Sequence, residues 1–151
     1  MEKIKKNKIS KDWVNKQRRD IYVRQSKLEG YRSRAIYKLK EIDNKFKIIK
    51  NGIKIVDLGS APGSWSQYLS EKSKNSMIMS IDLKEVVGIK NVNHLIGDFL
   101  DEQNQVKINN FFSDKLDLVV SDMAVNTTGN KNLEQNPNII SDKPSILITN
   151  F

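Results

Sequence analysis

VDLGSAPGSW, residues 56–65, predicts a buried strand, a glycine turn and the first turn of a helix. The apolar residues of the strand are Ile53, Ile55, Val56 and Leu58. Gly59 and Gly63 allow a tight turn and a close approach of the backbone to a ligand, because glycine has no Cβ. Apolar residues at helical spacing after Ser64 predict a helix to about Lys72. A strand, a glycine turn and a helix in this order are typical of nucleotide-type cofactor sites.

The glycine spacing separates this turn from two familiar phosphate-binding motifs. Three residues stand between Gly59 and Gly63, and no G-x-G is present, so the dinucleotide fingerprint is absent. No Lys-Ser or Lys-Thr follows Gly63, so the turn is not a P-loop. An ordinary tight connection between a strand and a helix is the plain structural alternative.

The rest of the chain alternates between strand and helix patterns. Strands are predicted at 77–81, 92–96 and 116–120, with a helix at 29–46 and an ambiguous helix at 100–113. Such alternation predicts an α/β fold with a parallel sheet and right-handed crossovers. The first 27 residues are polar, basic and weakly patterned, and we expect them to be partly ordered at best.

A carboxylate stands at the end of each of the four predicted strands: Asp57, Asp82, Asp98 and Asp122. Ligands of parallel sheets bind beyond the carboxyl ends of the strands. Asp82 follows Gly63 by 19 residues, where an acid commonly grips a ribose diol. Asp98 could accept from an adenine amino group, and Asp122 would lie near the reacting end of the ligand. These positions favour an adenosine-containing cofactor, and S-adenosylmethionine fits because its sulfonium is stabilised by nearby carboxylates.

Positive charge is concentrated in the N-terminal third. The chain carries a net charge of +8, but residues 1–50 alone carry +11 and the remainder carries −3. Aromatic residues Trp13, Tyr22, Tyr31 and Tyr37 lie among these charges. A basic segment with interspersed aromatics indicates a polyanionic partner, RNA above all. A solvated basic tail is the alternative.

Composition excludes several other classes. The chain has no cysteine, so disulfides, thiolate zinc sites and cysteine nucleophiles are excluded. The single histidine, His94, cannot build a multi-histidine metal site, and we expect it to serve packing or the surface. No apolar run approaches the ~18 residues of a membrane span, and no signal-peptide pattern is present. We therefore expect a cytoplasmic protein without metal and without membrane contact.

Lys38 is unusual in its predicted helix. The apolar stripe of that helix consists of Tyr31, Ala35, Leu39, Ile42 and Phe46. Lys38 lies on the edge of this stripe, whereas Lys40 points the other way. A lysine at that edge either extends its amino group to solvent along the apolar surface or is directed into a site.

These residues together carry a resemblance to a known family. YRSRAIYKL (31–39), DLGSAPGSWS (57–66), Asp82-Leu83, Gly97-Asp98-Phe99 and Ser121-Asp122-Met123-Ala124 resemble motifs of the FtsJ-type (RrmJ-like) RNA 2′-O-methyltransferases. The resemblance covers about residues 10–134. It implies a Rossmann-like fold, S-adenosylmethionine as the methyl donor, and the ribose 2′-hydroxyl of a uridine in large-subunit (23S) ribosomal RNA as the acceptor.

The resemblance also implies roles for individual residues. Gly63, Trp65, Asp82, Asp98 and Asp122 would bind the cofactor. Lys38 and Asp122 would be two members of the catalytic Lys-Asp-Lys-Glu tetrad of the family. A ribose hydroxyl is a weak nucleophile, so a lysine that accepts its proton or orients it aids the reaction.

The chain departs from the family pattern towards its end. Val125 replaces the usual proline, the resemblance stops after Glu134, and neither Lys131 nor Lys143 matches the second lysine of the tetrad. We therefore expect a C-terminally truncated chain: a basic N-terminal arm (1–27), a partial methyltransferase domain (28–134) and a divergent, irregular tail (135–151). The sheet would be incomplete after the fourth strand, which would form an exposed edge.

Three functions stay open at this point. The first is methylation of ribosomal RNA in the large ribosomal subunit, with doubtful activity in a truncated chain. The second is a non-catalytic remnant that binds S-adenosylmethionine, RNA or both. The third, a nicotinamide oxidoreductase, is disfavoured by the glycine spacing and the basic arm. A second chain that supplies the missing strands is also left open.

Overall fold

The computed structural model describes residues 11–124 and 147–150, which fold as helices around a parallel sheet. The helices are α1 (Lys11–Leu28), α2 (Ile36–Phe46), α3 (Ser64–Lys72) and α4 (Glu102–Phe112). The strands are β1 (Lys54–Leu58), β2 (Met77–Asp82), β3 (Val92–Ile96), β4 (Leu118–Ala124) and β5 (Leu147–Asn150). The predicted α/β class is therefore confirmed.

The sheet has the order β3-β2-β1-β4-β5, and each neighbouring pair is parallel. The chain runs outward from β1 to β3 and then crosses back to place β4 on the other side of β1. The glycine turn after β1 consequently lies where the strand order reverses. Ligands of open α/β sheets bind at such a switch point, beyond the carboxyl ends of the strands.

Successive residues of the central strands face opposite sides of the sheet, and each side has its own core. Ile55 and Val120 pack with Leu39 of α2 and Leu69 of α3. On the other side, the neighbouring strand residues Val56, Met79 and Val119 pack with Ile108 and Phe112 of α4. The near-continuous apolar runs of these strands follow from burial on both faces.

The N-terminal region differs from its sequence-based expectation. Residues 11–28 form a helix of 18 residues, although the pattern was too weakly amphipathic to predict one. Its C-terminal end is anchored: Ser26 is buried, and the Tyr22 ring lies 5.1 Å from the Tyr37 ring of α2. Tertiary packing of this kind stabilises helices whose periodicity is poor. The predicted start of the next helix also moves, from residue 29 to Ile36.

The C-terminal region adds a strand to the four that were predicted. β5 pairs with β4, with Val119 opposite Leu147 and Val120 opposite Ile148. The sheet therefore continues by one short strand past the fourth, and β4 is an interior strand rather than the exposed edge expected from sequence. Within the predicted irregular tail (135–151), residues 135–146 and 151 lie outside the described residues.

Within the described ranges, no helix is both long enough and apolar enough to cross a membrane.

Candidate active site

The turn between β1 and α3 requires glycine at two positions. Gly59 has a φ of 70° and Gly63 a φ of 108°, a region that other residues rarely adopt. A Cβ on Gly59 would lie 2.2 Å from Cγ of Met123, and one on Gly63 would lie 2.9 Å from the side chains of Val86 and Ile89. The Gly59 and Ser60 amides donate to the carbonyl of Ile81 at the end of β2. The two glycines therefore allow the backbone of the turn to lie close to β4 at Met123 and to the loop after β2 at Val86 and Ile89.

A pocket lies beyond the carboxyl ends of β1 and β4. Its lining consists of Ser33, Ala35, Asp57, Gly59, Ser60, Ala61, Pro62, Ser64, Trp65 and Asp122. The Ser60 hydroxyl is buried and has no hydrogen-bond partner among the described residues. Because an unpaired buried hydroxyl is costly, this position suits a polar atom of a ligand.

Asp57 is the most deeply buried acid of the pocket, with 1 % of its surface exposed. The Ser66 hydroxyl donates to Asp57 Oδ2 at 2.6 Å. Burial raises the pKa of Asp57 to about 7, the Ser66 hydrogen bond opposes this rise, and the negative charges of Asp122 and Asp82 add to it. Asp57 is thus poised to titrate near neutral pH.

Lys38 and Asp122 meet in space although 84 residues separate them in the chain. Lys38 Nζ lies 3.1 Å from Asp122 Oδ1 in a partly buried ion pair. Fully buried Ile36 and Leu39 anchor this part of α2, so Lys38 is held at the margin of the core. Lys40 does point the other way, to Glu29 at 2.8 Å and over the Tyr31 ring at 4.3 Å. Of the two readings of Lys38, the geometry favours a lysine directed into a site.

Asp82 and Asp98 occupy a more open part of the same sheet edge, outside the lining of the pocket. Asp82 ends β2, and its carboxylate accepts from the amides of Ala61 and Lys84 at 3.0 and 2.8 Å. Asp98 follows β3, is exposed, and accepts from the amide of Leu100 at 2.9 Å. The two carboxylates therefore hold the backbone of nearby loops by hydrogen bonds, and both are at least partly exposed to solvent.

Trp65 has a packing role beside its predicted cofactor role. Its indole N–H donates to the Ala35 carbonyl at 2.8 Å, and its ring is buried between α2 and the sheet. Trp65 also lines the pocket, so the structure is compatible with both roles. Gly63 is the N-cap residue of α3 and stands between the pocket-lining residues Pro62 and Ser64.

His94 makes two hydrogen bonds in the outer part of the sheet. Its Nδ1 lies 2.7 Å from the Ser80 hydroxyl, and its Nε2 lies 3.1 Å from the Lys84 carbonyl. Because the carbonyl only accepts, Nε2 donates to it, and in the neutral ring Nδ1 therefore accepts from the Ser80 hydroxyl. No group of three or more His, Cys, Asp or Glu side chains that could hold a metal ion occurs in the part of the chain that the structure describes.

Sequence reasoning missed three features of the site. It did not single out the hydroxyl of Ser60, the contact of 2.8 Å between the Ser33 and Ser64 hydroxyls, or the side chain of Arg32. All three lie within motifs that had been recognised, YRSRAIYKL and DLGSAPGSWS. Membership in those motifs was the available signal, but the partners of Ser33 and Arg32 are distant in sequence, and the burial of the Ser60 hydroxyl depends on the fold.

Comparisons with known proteins agree with this architecture. The ribosomal RNA large subunit methyltransferase E of Pelagibacter ubique is 59% identical over 131 residues, which are 87% of this chain and 64% of that protein. The protein of the same name from Legionella pneumophila (strain Corby) is 42% identical over 133 residues, 87% of this chain and 65% of that protein. The chain thus spans slightly less than two thirds of the length of these relatives.

A solved structure and a family model give the same result. The crystal structure of a putative ribosomal RNA methyltransferase from Plasmodium falciparum superposes with a TM-score of 0.59 at 38% identity, covering 66% of this chain and 60% of that one. The model of a family described as FtsJ-like methyltransferase matches residues 31–147. With the glycine turn and the Lys38–Asp122 pair at the predicted edge of the sheet, these matches show that the chain belongs to the FtsJ-like methyltransferase family.

Proposed function

We propose that this protein transfers a methyl group from S-adenosylmethionine to the ribose 2′-hydroxyl of a uridine in the RNA of the large ribosomal subunit. The observation that carries the proposal is the ion pair between Lys38 and Asp122, whose carboxylate side chain lines the glycine-turn pocket. Family membership supports methyl transfer, and the names of the two bacterial relatives support ribosomal RNA as the substrate. We propose the cytoplasm as the compartment of this activity.

The residues of the pocket fit S-adenosylmethionine. The unpaired Ser60 hydroxyl suits a polar atom of a ligand that approaches the backbone of the glycine turn. Asp122 supplies negative charge for a cationic ligand, and Asp57 adds to it when it is ionised. We assign the ribose diol to Asp82 and the adenine amino group to Asp98, which lie further along the same edge. When bound, this cofactor supplies an electrophilic methyl group on a sulfonium.

Lys38 and Asp122 are the proposed catalytic residues on this chain. Asp122 holds the Lys38 amino group by a charge-assisted hydrogen bond, which limits its motion. We assign to Lys38 the contact with the ribose hydroxyl. The hydroxyl proton would pass to Lys38 while the paired ammonium gives one of its own protons to the Asp122 carboxylate, so that the proton ends on Asp122 and Lys38 also orients the nucleophile. Positioning of the two reactants contributes the larger part of the rate.

The basic helix α1 and the start of α2 are the proposed RNA-binding surface. α1 is almost entirely exposed and carries Lys16, Arg18, Arg19 and Arg24, and the same region leads into Lys38. Lysine and arginine side chains that neutralise the phosphates of RNA release the counterions bound to those phosphates, and this release favours binding. This arrangement would present RNA to the pocket from the α2 side.

Methyl transfer from labelled S-adenosylmethionine to undermethylated large ribosomal subunits tests the proposal. We expect Lys38→Met to lower the rate by roughly 10²–10⁴-fold, the usual effect of losing a general base. Lys72→Met is the matched control, because Lys72 is an exposed lysine at the end of α3 and lies outside the pocket lining.

The outcomes separate the two main candidate functions. Transfer that depends on Lys38 and not on Lys72 supports the catalytic assignment. Binding of cofactor and RNA without any transfer would instead favour a non-catalytic binding protein. Equal rates for Lys38→Met and the parent chain would contradict the role of Lys38.

A further inference from the structure

Arg32 makes three hydrogen bonds that join two segments around the pocket. Its Nη1 donates to the Val87 carbonyl at 2.6 Å and to the Pro62 carbonyl at 3.3 Å, and its Nη2 donates to the Gly88 carbonyl at 3.1 Å. Pro62 belongs to the glycine turn, whereas Val87 and Gly88 belong to the loop that follows Asp82. One guanidinium group thus connects the turn after β1 to the loop after β2.

The same segment is attached to α3 by its backbone and neighbouring side chains. The Arg32 amide donates to Gln67 Oε1 at 3.0 Å, and Gln67 Nε2 returns a bond to the Gly30 carbonyl at 3.0 Å. Ser33 and Ser64 join through their hydroxyls at 2.8 Å. The backbone from which the Arg32 side chain extends is therefore held on α3 by side chains at two positions, Ser64 and Gln67.

The contact is close to Gly63, the second glycine of the turn. A Cβ at Gly63 would lie 3.2 Å from Arg32 Nη1 and 2.9 Å from Val86 and Ile89 of the loop. The loop and the guanidinium therefore pack directly onto the backbone of the turn. Arg32 also lies six residues before Lys38, so the segment that leads into the catalytic helix is tied to both walls of the cofactor site.

We propose that Arg32 is a positioning residue that holds the glycine turn and the loop 83–91 in the closed arrangement that binds the cofactor. The inference rests on the proposed function of the pocket. Arg32 is not assigned a phosphate contact, because three of its five N–H donors already serve backbone carbonyls. A lysine could not replace it, since one ammonium cannot reproduce the planar fork that reaches Pro62 and Gly88 together.

The first test needs no cofactor. Hydrogen exchange of the whole protein, followed by mass spectrometry, compares the parent with Arg32→Lys and Arg32→Gln. We expect both variants to exchange at least about tenfold faster in residues 83–91, with α4 unchanged as an internal reference for intact folding. Arg34→Gln is the matched control, because Arg34 is exposed two residues further on. Unchanged exchange in 83–91 for both Arg32 variants would overturn the proposal.

The second test measures the affinity for S-adenosylmethionine by calorimetry. We expect Arg32→Lys and Arg32→Gln to weaken binding by about tenfold or more, and Arg34→Gln to leave it unchanged. Millimolar guanidinium chloride should restore part of the affinity of Arg32→Ala but not of Gly63→Ala, a rescue that general destabilisation would not give. Full affinity in both Arg32→Lys and Arg32→Gln would overturn the proposal.

The two tests also separate this proposal from the proposed function. If the parent protein binds no S-adenosylmethionine, the proposed function fails, and the exchange experiment alone decides whether Arg32 closes the loop. If Arg32→Gln weakens RNA binding and lowers its salt dependence while exchange and cofactor affinity stay unchanged, Arg32 contacts phosphate instead and the proposal is wrong.

Discussion

The two halves of the sheet edge use the same residue type in opposite environments. At the β1–β4 half, Asp57 is buried beneath the glycine turn and Asp122 is paired with Lys38. At the β2–β3 half, Asp82 is partly exposed and accepts from the amides of Ala61 in the glycine turn and Lys84 in the loop after β2, whereas Asp98 is exposed and accepts from the amide of Leu100. Four acids at similar strand positions are therefore not equivalent, because burial and partners determine the charge state and accessibility of each carboxylate.

The largest expected effect is a pH-dependent change in the free energy of unfolding, and it comes from Asp57 in the buried β1–β4 half of the sheet edge. Burial raises the pKa of Asp57 to about 7 in the folded protein, above its ordinary value of 3.8. Between these values the folded protein binds a proton that the unfolded chain has lost, so the contribution of Asp57 to the free energy of unfolding falls as pH rises. Above about pH 7 Asp57 is ionised in both the folded and the unfolded state, and its contribution to the free energy of unfolding no longer changes. The total loss of stability for this pKa shift is up to about 4 kcal/mol.

Asp57→Asn should remove this pH dependence while its amide oxygen still accepts from Ser66. Urea unfolding between about pH 4 and pH 8 measures it, and we expect the variant to gain stability relative to the parent as pH increases. Asp98→Asn is the control from the open half, since Asp98 is exposed. A parent-to-variant difference that is flat across this range would show that Asp57 does not titrate as the buried environment predicts.

An intermediate effect on the free energy of unfolding is expected when a methyl group is added where the glycine turn packs against β4. Gly59→Ala introduces a Cβ 2.2 Å from Met123 Cγ at a φ of 70°. Overpacking and the left-handed backbone together should lower the free energy of unfolding by about 2–4 kcal/mol. Thermal or urea unfolding gives the magnitude.

A double-mutant cycle sharpens the result, because Met123→Ala removes the clash but not the backbone strain. We expect Gly59→Ala to be less destabilising in the Met123→Ala background than in the parent. Additive effects of the two substitutions would mean that the side chain of Met123 does not press on the turn.

The smallest effect is expected at the open half of the edge, where the acids meet the proposed cofactor. Asp82→Ala should weaken S-adenosylmethionine binding by about 1–3 kcal/mol through lost hydrogen bonds. Asp98→Ala should weaken binding less, since Asp98 is more exposed and its carboxylate accepts from one amide, that of Leu100, among the described residues. Calorimetry of both variants beside Asp101→Ala, an exposed helix cap outside the site, measures the order. Unchanged affinity in both would remove Asp82 and Asp98 from the cofactor site.

Much of the local structure was predictable because it is encoded in short segments. The predicted helix from Ser64 to Lys72 matches α3, and the strands at 77–81 and 92–96 match β2 and β3 to within one residue. Apolar runs and glycines specify these elements through backbone preferences and burial. The helix α1 and the strand β5 were not predictable, since α1 is anchored by Tyr37 on another helix and β5 by its pairing with β4.

The sequence by itself determined the parallel sheet, the glycine turn and the placement of acids near the strand ends, because these depend on residues that are neighbours in the chain. Only the tertiary structure decided that Lys38 lies 3.1 Å from Asp122, that Asp57 is buried deeply enough to titrate near pH 7, and that Arg32 joins the turn to the loop after β2. The partner of Lys38 is 84 residues away along the chain and Val87 is 55 residues from Arg32, whereas the burial of Asp57 comes from the elements packed around it. Their distances and their desolvation are set by how the helices pack onto the sheet, which local sequence patterns do not specify.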